Sequence, residues 1–408
     1  MDRRGRRRGP FVRAMMAVVV MLALCGLAPA QATAASPAWI RQLGTPGDDG
    51  GYVATPAPGG GIYLVAGWNT DCCGHGETLF RRYAANGDVL WSKVLPYDGD
   101  GDISAVGWDA SGVYIATEVR PVIGHLTRSI TLTKYSHAGD LLFTKMLGVD
   151  DTDRHPVMAT DGSKVYVAWL RGTGDLGRFR DVFFGRLEED GSVTNVAHVQ
   201  SDSEDIFLGA DTTSLYLANV VYERTVVPGR HALGAADLLL RRFDLSDPTK
   251  TVWYDRIGTG GDDRVVAMLV NDKGIYPAWK DDAGPGGNDE VRVQRYSKRG
   301  KAGWTRRAPI AGNGAVTVDA TGVYLVGELS KAFPGFHLKG PSDAFARKFG
   351  NDGKVAWSAE WGTGKIDGAW AAAASGGTLY ATGYTYGTFP GGVDNGPYDY
   401  DAFVARLR

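Results

Sequence analysis

Short runs of alternating apolar and polar residues recur along the chain from residue 39 to the C-terminus. The clearest unit lies between Trp304 and Trp357, where a Gly- and Asp-rich loop is followed by TVDATGVYLVGE and then by SDAFARKFGNDGKVAW. A period of two predicts half-buried β-strands, and the Gly, Asn and Asp clusters between the runs predict tight hairpin turns. No stretch competes as a helix of useful length, so an all-β chain is predicted.

Two aromatic anchors mark the repeat. One is a Trp late in the unit, found as Trp39, Trp91, Trp253, Trp304 and Trp357, with Phe143 in the equivalent place. The other is a Tyr that follows a small turn, found as Tyr63, Tyr114, Tyr166, Tyr216, Tyr276, Tyr324 and Tyr380. A spacing of roughly 50 residues is typical of propeller blades. The seven tyrosines therefore predict seven units.

Each unit reads as four strands, here lettered a to d. In the second unit they are predicted at residues 103–109, 113–119, 129–135 and 141–147. The last unit offers strands near 369–374, 378–384 and 401–407 but no strand d, whereas residues 38–43 match strand d of the other units. We therefore predict a seven-bladed β-propeller of four-stranded antiparallel blades over residues 35–408, with the N-terminal strand closing the last blade and removing two open edges.

The N-terminus has the pattern of a secretory signal peptide. Six arginines precede an apolar run at residues 14–27, and Ala32-Thr33-Ala34 offers small residues for cleavage after Ala34. Residues 1–34 are thus predicted to be removed from a secreted, bacterial, extracellular protein. A retained membrane anchor and lipidation at Cys25 are the alternatives, and Sec or Tat export is left open. No later apolar run reaches the roughly 18 residues of a membrane span, so none is expected in the mature chain.

Removing residues 1–34 changes the charge of the chain. That segment holds six of the 44 basic residues and one of the 46 acidic residues, which leaves 38 against 45 and a net charge of −7. An acidic mature surface argues against nucleic acid as a partner. The remaining cysteines, Cys72 and Cys73, are adjacent. They are read as a local loop feature, with a vicinal disulfide or a metal site with His75 as alternatives.

The unit resembles the bacterial SBBP-type β-propeller repeat. Its Trp, Gly-Thr and paired-Asp pattern stands at Trp39–Asp49, at Gly258–Asp263 and at Trp361–Asp367, and its Asp-Ala-Phe pattern at Asp343–Phe345 and Asp401–Val404. The resemblance covers essentially all of residues 35–408. It implies a propeller in a secreted or surface protein and implies no single activity. Residues 353–357 carry a weaker likeness to quinoprotein propellers.

The b–c and d–a connections of a propeller emerge on one face, here called the loop face. The predicted b–c loops are long, so this face is the candidate functional surface. Trp68, Trp169, Trp279 and Tyr384 lie late in strand b near it, and as exposed aromatic residues they would stack on sugar rings. The alternative for these side chains is packing between blades.

The d–a loops on the same face are acidic. Asp98, Asp100 and Asp102 alternate with glycine, and their oxygens could bind Ca²⁺, against the alternative of a solvated acidic turn. Other d–a carboxylates, such as Asp49 and Asp263, could instead cap backbone N–H groups.

No catalytic motif is found: G-x-S-x-G, H-E-x-x-H and a phosphate loop are all missing from the sequence. The chain is therefore predicted to be a monomeric, non-enzymatic binding module that takes a glycan or protein ligand at the cell surface through its loop face. A carbohydrate-active hydrolase or lyase using loop-face carboxylates is the first alternative. A structural scaffold stabilised by Ca²⁺ is the second.

Overall fold

The structure is a computed structural model. It describes residues 33–70, 76–95, 102–119, 129–147, 153–173, 179–201, 205–282, 290–310, 314–393, 396 and 399–408. Within these ranges the regular structure is all β-strand, with no helix, as the alternating pattern predicts. The described residues accordingly contain no helix long and apolar enough to cross a membrane.

The strands follow one another as repeated antiparallel hairpins. They are β1 (Thr33–Ala35), β2 (Pro37–Leu43), β3 (Asp48–Pro56), β4 (Ile62–Thr70), β5 (Glu77–Tyr83), β6 (Val89–Leu95), β7 (Asp102–Asp109), β8 (Gly112–Val119), β9 (Ser129–Tyr135), β10 (Leu141–Met146), β11 (Arg154–Thr160), β12 (Val165–Thr173), β13 (Phe179–Leu187), β14 (Val193–Ser201), β15 (Ile206–Asp211), β16 (Ser214–Tyr222), β17 (Ala236–Asp244), β18 (Asp247–Ile257), β19 (Asp262–Asn271), β20 (Gly274–Asp282), β21 (Glu290–Tyr296), β22 (Ala302–Pro309), β23 (Gly314–Asp319), β24 (Gly322–Leu329), β25 (Asp343–Gly350), β26 (Val355–Trp361), β27 (Asp367–Ser375), β28 (Thr378–Thr385) and β29 (Asp401–Leu407).

Four-stranded antiparallel sheets are the unit of the fold, and their strands pair in chain order. The groups β15–β18 and β19–β22 are linked into one larger sheet by a single parallel pairing of Ala236 with Asp262. β1 adds a short parallel strand to the outer edge of β26. β2 pairs antiparallel with β29, with Ile40 opposite Ala405, and so stands beside the last three strands of the chain.

The first strands of the groups contact one another in sequence. β3 contacts β7, β7 contacts β11, β11 contacts β15, β15 contacts β19, β19 contacts β23, β23 contacts β27, and β27 contacts β3. The apolar side chains between neighbouring sheets form the core, and the predicted anchor tyrosines are all buried there. The arrangement is β-propeller-like, with the sheets packed face to face.

In several units the anchor Tyr hydrogen-bonds to the turn that precedes it. The phenol donates to an Asp five residues earlier, at 2.9 Å from Tyr114 to Asp109, 3.0 Å from Tyr216 to Asp211 and 3.2 Å from Tyr324 to Asp319. The same carboxylate accepts the backbone N–H two residues after it, for example from Ser111 at 2.8 Å. One Asp thus closes the a–b turn and satisfies a buried phenol, which the sequence analysis did not foresee.

The anchor Trp of one sheet contacts the c–d turn of the next. The indole Nε1 donates to a turn carbonyl at 3.1 Å (Trp39 to Ala85), 3.0 Å (Trp91 to His137), 3.2 Å (Trp253 to Lys298) and 3.1 Å (Trp304 to Asn351). A glycine with positive φ lies under each ring: Gly87, Gly139, Gly300 and Gly353. We call this pairing the indole–turn contact. Phe143 packs on Gly191 in the same way without the hydrogen bond.

Gly353→Ala measures how tightly the indole–turn contact is packed. An ideal Cβ at Gly353 would lie 2.8 Å from Trp304, whereas one at Gly59 would meet nothing within 4 Å, and the two residues have φ values of 77° and 78°. Both substitutions suffer the same positive-φ penalty of about 1 kcal/mol. We expect Gly353→Ala to lower the free energy of unfolding by about 1–3 kcal/mol more than Gly59→Ala in urea titrations. Equal losses would contradict a tight contact.

Candidate functional site

The four predicted stacking residues are not brought together. Trp169 and Trp279 are only 4% and 3% exposed and belong to the core between sheets, so these two do not offer the exposed faces that were predicted. Trp68 is half-buried with the Arg81 guanidinium 5.9 Å from its ring centre. Tyr384 is half-buried and joins a cluster of other aromatic residues.

The predicted Ca²⁺ ligands fall mostly beyond what the structure describes. Asp98 and Asp100 lie outside the described residues, and Asp102 is described only as the first backbone position of β7. Cys72 and Cys73 also lie outside them. In the part of the chain that is described, no group of three or more His, Cys, Asp or Glu residues is placed to hold a metal ion.

Three acidic d–a loops carry a common cap. Asp49, Asp263 and Asp367 are fully buried, and each accepts the backbone N–H of a Thr four residues earlier, at 2.5, 2.5 and 2.6 Å. The same Thr hydroxyls donate to the carboxylates as well. The prediction that these aspartates cap backbone groups is confirmed. Their oxygens are engaged in holding the loop and are not free for chemistry.

A second buried Asp lies beside two of these caps. Asp237 and Asp343 accept N–H groups of their own b–c loops, and a glycine separates each from its neighbour. An ideal Cβ on Gly258 would lie 2.6 Å from both Asp237 and Asp263 oxygens, so only glycine fits between the carboxylates. Burial raises the pKa of Asp263 to about 6, with Asp281 and Asp237 adding to the rise.

Five aromatic side chains meet where β3, β27 and β28 adjoin near the loop face. Trp370 stacks on Tyr52 with ring centres 5.3 Å apart and an angle of 7°, and on Tyr384 at 4.4 Å. Tyr400 lies 5.7 Å from Tyr384 and 5.6 Å from Tyr386. We call these residues, Tyr52, Trp370, Tyr384, Tyr386 and Tyr400, the aromatic cup. Tyr52 is 47% exposed, so the cup opens to solvent.

Backbone irregularity and glycine place these rings. Tyr52 and Trp370 each stand at a break in strand register, between Gly51 and Val53 and between Ala369 and Ala371. Such β-bulges re-aim a side chain out of the regular alternation. Gly67 lies under the Tyr52 ring and Gly368 under the Tyr384 ring, where a Cβ would come within 2.6 and 2.5 Å of ring carbons. The rings can therefore lie flat against the backbone.

Two carboxylates border the cup. The Tyr384 phenol donates to Glu328 Oε2 at 2.8 Å, and the N–H of Tyr400 points to Asp48 Oδ1 at 3.4 Å. Burial raises the pKa of Tyr384, and the hydrogen bond to Glu328 raises it further. Burial also raises the pKa of Tyr400, together with the nearby Tyr52. The phenols therefore stay protonated at neutral pH, and Glu328 is the group placed to accept the Tyr384 proton.

The sequence analysis found only Tyr384 among the cup residues. The others lie in different strands and loops, so their proximity depends on which sheets are neighbours. Two local signals exist in hindsight. One is the Gly50-Gly51 pair before Tyr52, and the other is the concentration of tyrosines from Tyr384 to Tyr400.

No protein-family model matches the chain, and no curated protein matches it. Among solved structures it is similar to the phage phi92 endosialidase, at 9% identity over 91% of this chain and 69% of that one, with a TM-score of 0.46. It is also similar to puromycin hydrolase, at 13% identity over 81% and 50% of the chains, with a TM-score of 0.46. A third is the GH43 endo-arabinanase from Bacillus licheniformis, at 13% identity over 65% and 100%, with a TM-score of 0.34.

These three proteins are all hydrolases by name. The comparison goes against the prediction of a non-enzymatic binding module and agrees better with the alternative of a hydrolase, while identities of 9–13% carry no activity over to this chain. No residue role is carried over from those proteins to this chain.

The buried caps predict an unusual dependence of stability on pH. Burial raises the pKa of Asp49 and of Asp263 to about 6, above the ordinary 3.8 of an unfolded Asp. The folded chain therefore binds more protons than the unfolded chain between these values, so these groups make stability fall as pH rises through about 6. We expect the contribution of each group to the free energy of unfolding to fall by about 1–3 kcal/mol between pH 4 and pH 7.5.

Asp49→Asn should flatten that dependence, as measured by urea unfolding at a series of pH values. Asp161→Asn is the control, since hydrogen bonds from Ser163 and Lys164 outweigh burial and lower the pKa of Asp161 below its ordinary value. Between pH 5 and 7.5 the control should keep the slope of the unaltered chain. A slope unchanged by Asp49→Asn would contradict the prediction.

Proposed function

We propose that the chain is a carbohydrate-active hydrolase with its active site in the aromatic cup. The observation that carries the proposal is the 2.8 Å hydrogen bond from the Tyr384 phenol to Glu328 inside a cluster of exposed and half-buried rings. The bond joins a potential nucleophile to a base. The buried loop-face carboxylates, such as Asp49, serve as caps, so the proposed reactive groups are other residues on the same face.

The cup suits a sugar as substrate. The parallel rings of Tyr52 and Trp370 offer flat apolar surface, and the former is half exposed. Phenol oxygens at Tyr384, Tyr386 and Tyr400 lie among the rings and provide the hydrogen-bonding groups that sugar hydroxyls need. A site that combines flat aromatic walls with a few polar groups orients a polar ring and excludes water from one of its faces.

The proposed reaction uses a tyrosine as nucleophile, as some glycosidases do. Tyr384 Oη attacks the anomeric carbon while its proton passes to Glu328. The glycosidic C–O bond breaks, and Asp48, the second carboxyl at the cup, gives a proton to the leaving oxygen. Water then attacks the glycosyl–tyrosine bond with Asp48 as base, and the phenol recovers its proton from Glu328, which restores both groups.

The fold in this proposal is a closed seven-bladed propeller. It is supported by the contacts between successive first strands, from β3 through to β27 and back to β3. It is supported also by β2, which takes the place of strand d beside β29. Membership of the SBBP-type repeat and export after cleavage at Ala34 belong to the same proposal, on the motifs and the N-terminal pattern described above.

A disulfide between strands β2 and β29 tests the closure. Ile40 and Ala405 are direct antiparallel partners, and such Cα atoms lie about 4.5–5.5 Å apart, within disulfide range. In Ile40→Cys/Ala405→Cys we expect the disulfide to form. Oxidation should raise the free energy of unfolding by about 3–5 kcal/mol, seen as a thermal midpoint that is higher by several degrees. The pair Ile40→Cys/Leu407→Cys, which is out of register, should stay reduced. Failure of the in-register pair to cross-link would contradict closure.

Loss of activity in cup variants tests the function. The full chain is assayed for new reducing ends on a panel of soluble polysaccharides. With the substrate that gives the highest rate, Tyr384→Phe and Glu328→Gln should each lower kcat by 100-fold or more, on the order of 10²–10⁴. Trp370→Ala should chiefly raise KM. Tyr254→Phe is the matched control, because that phenol is bonded to Pro228 at a different sheet, and it should keep full activity.

Two results would overturn the proposal. One is the absence of reducing ends from every polysaccharide with folded protein. The other is a rate that survives both Tyr384→Phe and Glu328→Gln.

A further inference from the structure

A cavity of about 430 Å³ lies between the end of β22 and the loop that follows β24. Its apolar walls include Pro309, Ile310, Leu329 and Phe333, and its cationic side chains are Lys331 and Arg347. This volume suits a small organic molecule. The cavity is separate from the aromatic cup, because Leu329 follows Glu328 in strand β24 and consecutive strand residues point to opposite faces.

Arg347 is held in place without an ion pair to a described carboxylate, although Glu360 is close enough to act on its charge. Its guanidinium lies over the Phe333 ring at 3.6 Å from the ring centre, and its Nε donates to Ser358 Oγ at 3.0 Å. Among the described residues no carboxylate lies within ion-pair distance of it, and its outer Nη atoms have no hydrogen-bond partner there. The guanidinium of Arg347 therefore lines the cavity, and its two Nη nitrogens have N–H groups available to donate hydrogen bonds.

Three arginines elsewhere in the fold have carboxylate partners, whereas Arg81, whose Nε also donates to a serine hydroxyl, has none among the described residues. Arg171, which also lies over a phenylalanine ring, bonds to Asp153 at 2.7 Å. Arg256 bonds to Asp237 and Arg292 to Asp281, both at 2.7 Å. Arg347 shares the phenylalanine contact of Arg171 but lines a cavity where Arg171 has an ion pair, and this cavity leaves room for a ligand carboxylate.

The nearby acidic groups are engaged elsewhere. Glu360 accepts the Phe333 N–H at 2.6 Å, and Asp343 accepts the N–H groups of Lys339 and Gly340 at 2.9 and 3.1 Å. Both carboxylates thus hold the b–c loop in shape, and Glu360 keeps its second oxygen, Oε2, buried without a hydrogen-bond partner. Lys331 is exposed at the rim of the cavity and adds a second positive charge.

We propose that this cavity binds a small organic carboxylate with an apolar body. The two carboxylate oxygens accept hydrogen bonds from the two outer nitrogens of Arg347, which is the bidentate geometry that a guanidinium group favours. The apolar body packs against Ile310, Leu329 and Phe333. The site is independent of the hydrolase proposal, because it involves neither Tyr384 nor Glu328.

Calorimetric titration of the full chain with phenylacetate tests this inference. We expect saturable binding of one molecule per chain. The neutral analogue 2-phenylethanol and inorganic phosphate should each bind at least tenfold more weakly, because one lacks the charge and the other lacks the apolar body.

Variants assign the binding to Arg347. Arg347→Gln should weaken phenylacetate binding at least tenfold, and Arg347→Lys, which keeps the charge but not the fork, should give an intermediate affinity. Arg171→Gln is the matched control, since it removes a similarly stacked but ion-paired guanidinium, and it should bind phenylacetate as the unaltered chain does. Thermal unfolding of each variant verifies that it is folded.

Three outcomes would overturn the proposal. They are the absence of saturable phenylacetate binding to folded protein, equal binding of 2-phenylethanol, and undiminished binding by folded Arg347→Gln and Arg347→Lys.

Discussion

The contact on which the fold depends is the indole–turn contact between neighbouring sheets. A four-stranded sheet of this size exposes two apolar faces and cannot be stable alone, so it must be held in register against its neighbours. The indole of an outer strand does this by packing on a glycine of the next c–d turn while its Nε1 bonds to that turn. Trp39 from the N-terminal strand makes this contact with Ala85, and Arg408 lies over Trp357 near the C-terminus. The N-terminal strand thus makes the indole–turn contact, whereas at Trp357 the Arg408 guanidinium lies over the ring.

Two kinds of position follow from this constraint. The c–d turns that contain Gly87, Gly139, Gly191, Gly300 and Gly353 must keep their glycine, because an aromatic ring packs on each of them. The opposite ends of the sheets carry no such contact, so their loops can lengthen, but they need caps of their own. Asp49, Asp263 and Asp367 provide those caps and are buried in doing so. Acidity at the loop face is therefore largely structural, and chemistry there has to come from other residues.

The strands, the hairpin turns and the anchor residues could be predicted because they have local signatures. Period-two alternation, turn glycines and recurring Trp and Tyr positions are all readable within one unit, and comparing units brought out residues 38–43 as a strand d. The sequence left open whether Trp169 and Trp279 are exposed or packed between sheets, because that depends on the neighbouring sheet, and the structure shows the packed alternative. The cup was mostly missed for the same reason. Tyr52, Glu328 and Trp370 are far apart in sequence and meet only when β3, β24 and β27 are neighbours.

The position of the cup can be explained by a feature that the repeat already contains. First strands β3, β7, β19 and β27 all break register near the same point, at Tyr52, Ser104, Val266 and Trp370. The break itself is thus a property of the repeat, and only the side chain at it varies. Aromatic residues occupy it in β27 and β3, which are in contact, so two bulged rings can stack. Tyrosine suits the remaining positions, because each ring packs on its neighbours while its oxygen keeps a polar partner. A site of this kind requires a few substitutions at existing bulges and leaves the contacts between sheets unchanged.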